Sequence, residues 1–172
     1  MESEDYESSE ILLEIAKAEY QNGFSRTSVI DTKVGITLPI IATYFFLVLQ
    51  YESVRSIFTK QLDTRNAVAL LYSVCNPLIY VAAIVCAGAA LIFLFRAIIT
   101  QTYKKVDLKC FNDKKTMSQP PNVFAAVMVT CFIQASELNN LTNNMRVALY
   151  KRGMFFAIIS LALFVFYILL TK

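Results

Sequence analysis

The sequence predicts an all-α membrane protein. It has about three transmembrane helices, an N-terminal amphipathic helix, and a long cytoplasmic helix continuous with the last span. Three observations lead there. Hydrophobic residues fill 56% of the 172 positions and charged residues only 17%, whereas soluble domains average about 45–50% and about 25%. The mean hydropathy is +0.52. The apolar residues are also gathered into three long runs with polar stretches between them.

Residues 1–33 form the acidic N-terminal segment, expected in the cytoplasm. Leu12, Ala16, Tyr20, Phe24, Thr27 and Ile30 recur at three- and four-residue steps from 8 to 32, which is helical spacing. Ser8 or Ser9 can cap that helix, and Glu10 suits its first turn. Gly23 is a weak point inside it. Asp31-Thr32-Lys33-Val34-Gly35 holds no breaker except Gly, so the helix should run directly into the first apolar segment, Val34 to Gln50.

The first two membrane segments and their external loop (51–66) fill residues 34–100. Ala67 to Thr100 is too long for one crossing. Its 34 residues would reach about 50 Å as a helix, against a hydrocarbon core of about 30 Å. Asn76-Pro77 predicts a kink or break, with Ala67–Cys75 as an interfacial piece or extension and Pro77–Thr100 as the span. Residues 101–121 are a basic linker ending Ser118-Gln119-Pro120-Pro121, after which Asn122 can cap the next helix.

Residues 122–153 carry the longest helical pattern outside the spans. Phe124, Met128, Cys131, Ala135, Leu138, Leu141, Met145 and Leu149 form an apolar stripe. No Pro follows Pro121, so this helix can continue into the last membrane helix, 154–172, as one helix of roughly 49 residues and about 70 Å. One chain offers little to cover the stripe. Leu138, Leu141 and Met145 are therefore expected to meet other copies. Asn139, Asn140, Asn143 and Asn144 stack beside them at i,i+4 spacing. That band is either a solvated face or an interface or pore lining.

Charge orients the chain. Lys104, Lys105, Lys109, Lys114, Lys115, Arg146, Lys151 and Arg152 lie in 101–153, against Arg55, Lys60 and Arg65 in 51–66. The positive-inside rule then puts the N-terminus inside and the C-terminus outside. Lys104, Lys105, Lys114 and Lys115 are the candidate membrane-surface contacts. Arg96 should snorkel to the inner interface, and Tyr44, Tyr51, Tyr80, Tyr103 and Tyr167 should anchor span ends. Residues 1–33 carry eight acids against three bases, and the remainder thirteen bases against five acids. An acidic head on a membrane-rich body argues against direct nucleic-acid binding. It is also unlike a signal peptide, which starts basic.

Little covalent chemistry is on offer. The chain has no His, which removes His-based metal sites, triads and general bases. Cys75, Cys86, Cys110 and Cys131 lack Cys-x2-Cys spacing and read as free thiols. The four Gly are scattered, so there is no phosphate loop. Arg96 is the sole charge inside a span, which leaves no proton relay. The expectation is no enzyme activity, no metal and no cofactor. By elimination, function lies in a homo-oligomer in the lipid bilayer.

The order of elements carries a resemblance. An amphipathic helix, Asp31-Thr32-Lys33-Val34-Gly35 at the mouth of the first span, a basic linker, a long cytoplasmic helix and a last span follow in that order. In this the chain resembles small membrane effectors of prokaryotic antiphage defence. The better fit is the small membrane accessory protein of RNA-targeting type VI-B CRISPR systems; the second is the transmembrane effector group of cyclic-nucleotide (Pycsar-like) defence. The first family is described with a HEPN-like Arg-x4-His motif. Arg152 matches its Arg, but position 157 is Ala, so only a remnant of the motif carries over. The resemblance implies a multi-pass protein of the bacterial inner membrane. It implies permeabilisation of that membrane once an RNA-guided nuclease is active, and the homo-oligomer expected by elimination would then be a ring of copies. The alternative is a membrane adaptor, or a cyclic-nucleotide-defence effector, without its own pore.

Overall fold

The structure, a computed structural model, describes residues 8–52, 66–100, 103–106 and 118–171. Three helices make up nearly all of these: α1 (Ser9–Tyr51), α2 (Ala67–Ile99) and α3 (Pro121–Thr171). No strand occurs among the described residues. All three helices are long and apolar enough to cross a membrane. The protein is therefore an all-α membrane protein of multi-pass type. Only 11%, 28% and 22% of their most apolar stretches are buried within the chain, which leaves those surfaces for lipid or other protein.

The helix boundaries follow from local chemistry. α1 passes through Gly23 and Gly35 without interruption. Pro39 lies inside it as well. α2 continues through Pro77, where the sequence suggested a kink or break; there is no break. A proline removes one backbone donor, and apolar spans tolerate that loss. Ala67–Cys75 is accordingly an extension of the same helix. α3 starts one residue earlier than expected, at Pro121. Proline is favoured there because its missing N–H would have no helical partner anyway. The Pro120 carbonyl accepts from the Val123 and Phe124 amides, both at 3.1 Å. Asn122 sits inside the first turn, and its Oδ1 accepts from the Val123 amide at 3.0 Å, so it helps to satisfy the helix start as expected.

The chain divides into two compact units. The first joins Met1–Asp31 with Thr100–Arg146. The second joins Thr32–Ile99 with Val147–Lys172. This grouping pairs segments distant in sequence, where the composition shifts suggested five consecutive regions.

In the second unit, α2 buries a row of small residues. Ala83, Ala87, Ala90, Leu94 and Ala97 are all fully buried, at alternating four- and three-residue steps. Gly153, Ala157 and Ser160 of α3 are buried at the same spacing. A Cβ built on Gly153 would lie 3.0 Å from the Leu94 side chain and 3.2 Å from the Ala90 carbonyl oxygen. Such close approach of small residues is how helices associate where no hydrophobic drive separates protein from lipid.

At the far end of this unit Val48, Tyr80 and Tyr167 form a buried cluster. Val48 lies in the last turn of α1, where carbonyls have no helical partner. The Tyr80 hydroxyl donates to that carbonyl. It also accepts from the Glu52 amide at 3.3 Å. Tyr167 donates to the Glu52 carboxylate at 2.6 Å. The Tyr44 hydroxyl lies 3.1 Å from the Ser160 hydroxyl, which donates to the Ala83 carbonyl at 2.7 Å. Tyr80 and Tyr167 are therefore internal ties between helices, not the interfacial anchors their positions suggested.

Candidate functional site

The first unit is built around polar side chains. On α1, Tyr20, Gly23, Thr27 and Asp31 recur at helical spacing. On α3, Asn139, Asn143 and Arg146 do the same, and all three are fully buried. The short segment Tyr103 to Val106 lies against both. Apolar support comes from Ala16, Ile30, Ala125, Met128 and Ala135, which are buried. The Tyr20 ring also packs on Phe132, 5.3 Å between centroids. Of the apolar stripe expected on α1, Leu12 is exposed while Ala16 and Ile30 are buried.

Each amide has specific partners. Asn143 donates to the Gly23 carbonyl at 3.0 Å. Its Oδ1 accepts from Tyr103 at 2.8 Å and Thr27 at 3.1 Å. Asn139 holds the Lys104 backbone from both sides: its Oδ1 accepts the amide at 2.9 Å and its Nδ2 donates to the carbonyl at 3.2 Å. Asn140 and Asn144 are a turn apart, and the Arg26 guanidinium forks across them at 3.2 and 3.1 Å. The Val106 amide donates to the Tyr20 hydroxyl at 3.4 Å.

Arg146 closes the cluster. Its guanidinium pairs with the Asp31 carboxylate and donates to the Tyr103 hydroxyl at 2.6 Å. Its side chain is wholly buried, while that of Asp31 is 45% exposed. Burial works against the charge, but the bonds with Asp31 and Tyr103 outweigh it, so the Arg146 pKa is raised above its ordinary value. The guanidinium stays charged and committed to these partners.

This arrangement corrects the reading of the Asn band. Asn139 and Asn143 neither face solvent nor line a lumen. They are turned inward, and α1 with the Tyr103–Val106 segment covers them. Asn140 is half-buried, Asn144 is exposed, and both are tied to Arg26 within the chain. The other sequence-derived residues fall on the opposite side of α3. Leu138, Leu141 and Met145 are 46%, 61% and 59% exposed. The single stripe expected along α3 is thus two faces: Met128 and Ala135 turn into the chain, and Leu138, Leu141 and Met145 turn out.

Lys104 and Lys105 are exposed on a backbone that Asn139 holds in place. Lys114 and Lys115 lie outside the described residues, as do Lys109, Cys110, Arg55, Lys60 and Arg65. Tyr103, expected as an interfacial anchor, belongs to the polar cluster. Arg152 is exposed and Ala157 is buried. A five-residue step turns about 140° round a helix, so the two positions of the motif remnant face different ways.

Asp31, Arg26, Thr27, Tyr103 and Arg146 are the residues that sequence reasoning missed as a group. One signal was present: Asp31 and Arg146 are opposite charges just before the first and last apolar segments. Among the described residues no group of His, Cys, Asp or Glu is placed to hold a metal ion. Chemically, the cluster can hold two helices and a strap in one register. It pairs no nucleophile with a base. No known protein family, curated protein or solved structure matches the chain.

Proposed function

We propose that this chain is a membrane protein that works by self-association, and that the assembled form makes its membrane leaky. One observation carries the reading. Leu138, Leu141 and Met145 are exposed on a stretch of α3 that precedes its most apolar part. Their neighbours Asn139, Asn143 and Arg146 are fully used inside the chain. An apolar strip beside a finished polar interior is a contact surface in waiting. In this reading the N-terminus is cytoplasmic, the C-terminus is external, and the membrane is the bacterial inner membrane. Leakage would strengthen antiphage defence downstream of an RNA-guided nuclease, as the type VI-B resemblance implies. The chain itself performs no catalysis.

The test pairs two measurements on the full chain in bacterial cells and in detergent. Native mass spectrometry reads the assembly, and a potential-sensitive dye reads the membrane. A multi-subunit species and depolarisation on nuclease activation are expected. Leu138→Glu and Leu141→Glu should reduce both, because a charge without a partner is costly in a packed contact. A monomer in detergent, with cells that hold their potential, would overturn the proposal and leave the adaptor reading.

A further inference from the structure

The exposed face of α3 has a period of its own. Val127, Gln134, Leu138, Leu141 and Met145 are exposed in one line, with half-buried Cys131 among them, while Thr130, Ile133, Glu137 and Asn144 are exposed beside that line. Between Val127 and Met145 these positions follow steps of four and three residues without exception. The five steps average about 3.6 residues, the turn of the helix itself, so all six positions stay on one side of α3, and over so short a length the same alternation serves as a two-helix seam. Elsewhere in the chain the same alternation is already filled: the row Ala83, Ala87, Ala90, Leu94 and Ala97 is wholly buried. On α3 the row is built, and among the described residues it is left largely exposed.

We infer that residues 127–145 of α3 pair with the same segment of a second copy, in parallel, through this seam. The inference rests on the self-association proposed above and names its contact. Three features select a second copy as the occupant. The seam is apolar except for Gln134, and one polar core position fixes register when it meets its own counterpart. Glu137 is the only charged residue between Pro121 and Met145, so two copies can close with little like-charge repulsion. The last span follows on the same helix, so every copy in one membrane presents the seam in the same direction.

The seam covers about two and a half heptads, too short to hold two free helices together. Confinement of both copies to one membrane raises their effective concentration and supplies what the short seam lacks.

Cysteine scanning of the full chain in native membranes tests the inference. All four natural cysteines are first replaced by Ser. Single cysteines are then placed by Gln134→Cys, Leu138→Cys and Leu141→Cys on the seam, and by Ile133→Cys and Asn144→Cys off it. Cys131 alone is restored in a further variant. After mild oxidation, the seam variants should give several-fold more cross-linked dimer than the off-seam variants. Native mass spectrometry on the same samples reports assembly separately. If the chain assembles but the seam positions cross-link no better than Ile133→Cys, the seam is wrong and self-association stands. If every variant is monomeric and none cross-links, both fall.

Discussion

The two units solve the same packing problem with opposite chemistry. In the second, α2 and α3 close on Ala, Gly and Ser, with Ser160 donating to the Ala83 carbonyl. In the first, α1 and α3 meet through Asn, Thr, Arg and Asp, with a tyrosine from the connecting segment between them. Under the proposed topology the second unit lies in lipid and the first outside it, and the difference follows that solvent. In lipid, apolar side chains gain nothing by leaving it, so close backbone approach decides the contact. Where water competes, a buried polar network that is fully satisfied selects one register from many. The second unit should therefore be sensitive to volume and the first to charge.

The largest effect should come from breaking the charge balance of the first unit. Asp31→Asn removes the carboxylate charge that balances the buried Arg146 guanidinium, leaving an amide oxygen in its place. Removing one partner of a buried pair costs about 3–5 kcal/mol. The exposure of Asp31 places this one at the lower end. Arg146→Met should cost less, because the remaining carboxylate is already half in water. The double variant should recover part of the loss of Asp31→Asn. Unfolding midpoints in detergent, followed with a thiol-reactive dye, rank the three. If Arg146→Met is the worse of the two, the pair does not work as described.

Next is a volume change at the closest approach of the second unit. Gly153→Val forces atoms into Leu94 and the Ala90 carbonyl. Overpacking of this kind costs about 1–3 kcal/mol. Gly153→Ala should be milder, since Leu94 can shift and alanine favours the helix. Gly23 makes the opposite case. A Cβ there meets nothing within 4 Å. Gly23→Ala should stabilise by about 0.5–1 kcal/mol, because glycine in a helix interior costs that much in chain entropy. Its carbonyl would still accept from Asn143. Equal effects at the two glycines would erase the distinction between the units.

The parts visible in the sequence were those set by local pattern. Apolar run lengths placed all three helices, and the lack of breakers between 122 and 171 made α3 continuous. The parts that stayed hidden depend on which face a remote segment covers. Asn139 and Asn143 look alike in sequence to Asn140 and Asn144. What separates them is Lys104 and Tyr103, about forty positions away, lying against one side of the helix. Similarly, Tyr80 and Tyr167 sit near span ends, as anchors do. Their hydroxyls instead bond the last-turn Val48 carbonyl of α1 and the Glu52 carboxylate just past it, a need that appears only when the helices are side by side. Pro77 misled for a different reason. Its cost is one hydrogen bond, and the apolar helix on both sides is long enough to absorb it.

The smallest expected effect compares one substitution in both units. Tyr103→Phe removes the donor to Asn143 and the acceptor of Arg146. Asn143 keeps Thr27 and Arg146 keeps Asp31, so the loss is that of two buried bonds, each worth about 0.5–1.5 kcal/mol. Tyr167→Phe removes a single bond to Glu52. That carboxylate belongs to a residue at the end of α1, only partly buried, where water can replace the hydroxyl. Side-chain hydrogen bonds between membrane helices average about 0.6 kcal/mol. Tyr167→Phe should therefore shift the unfolding midpoint less than Tyr103→Phe in the same dye assay. The rings stay in both variants, so packing is unchanged and the difference reports the hydroxyl alone. A Tyr167→Phe loss as large as that of Tyr103→Phe would mean that the second unit also depends on polar ties, and that small-residue packing is not what holds it.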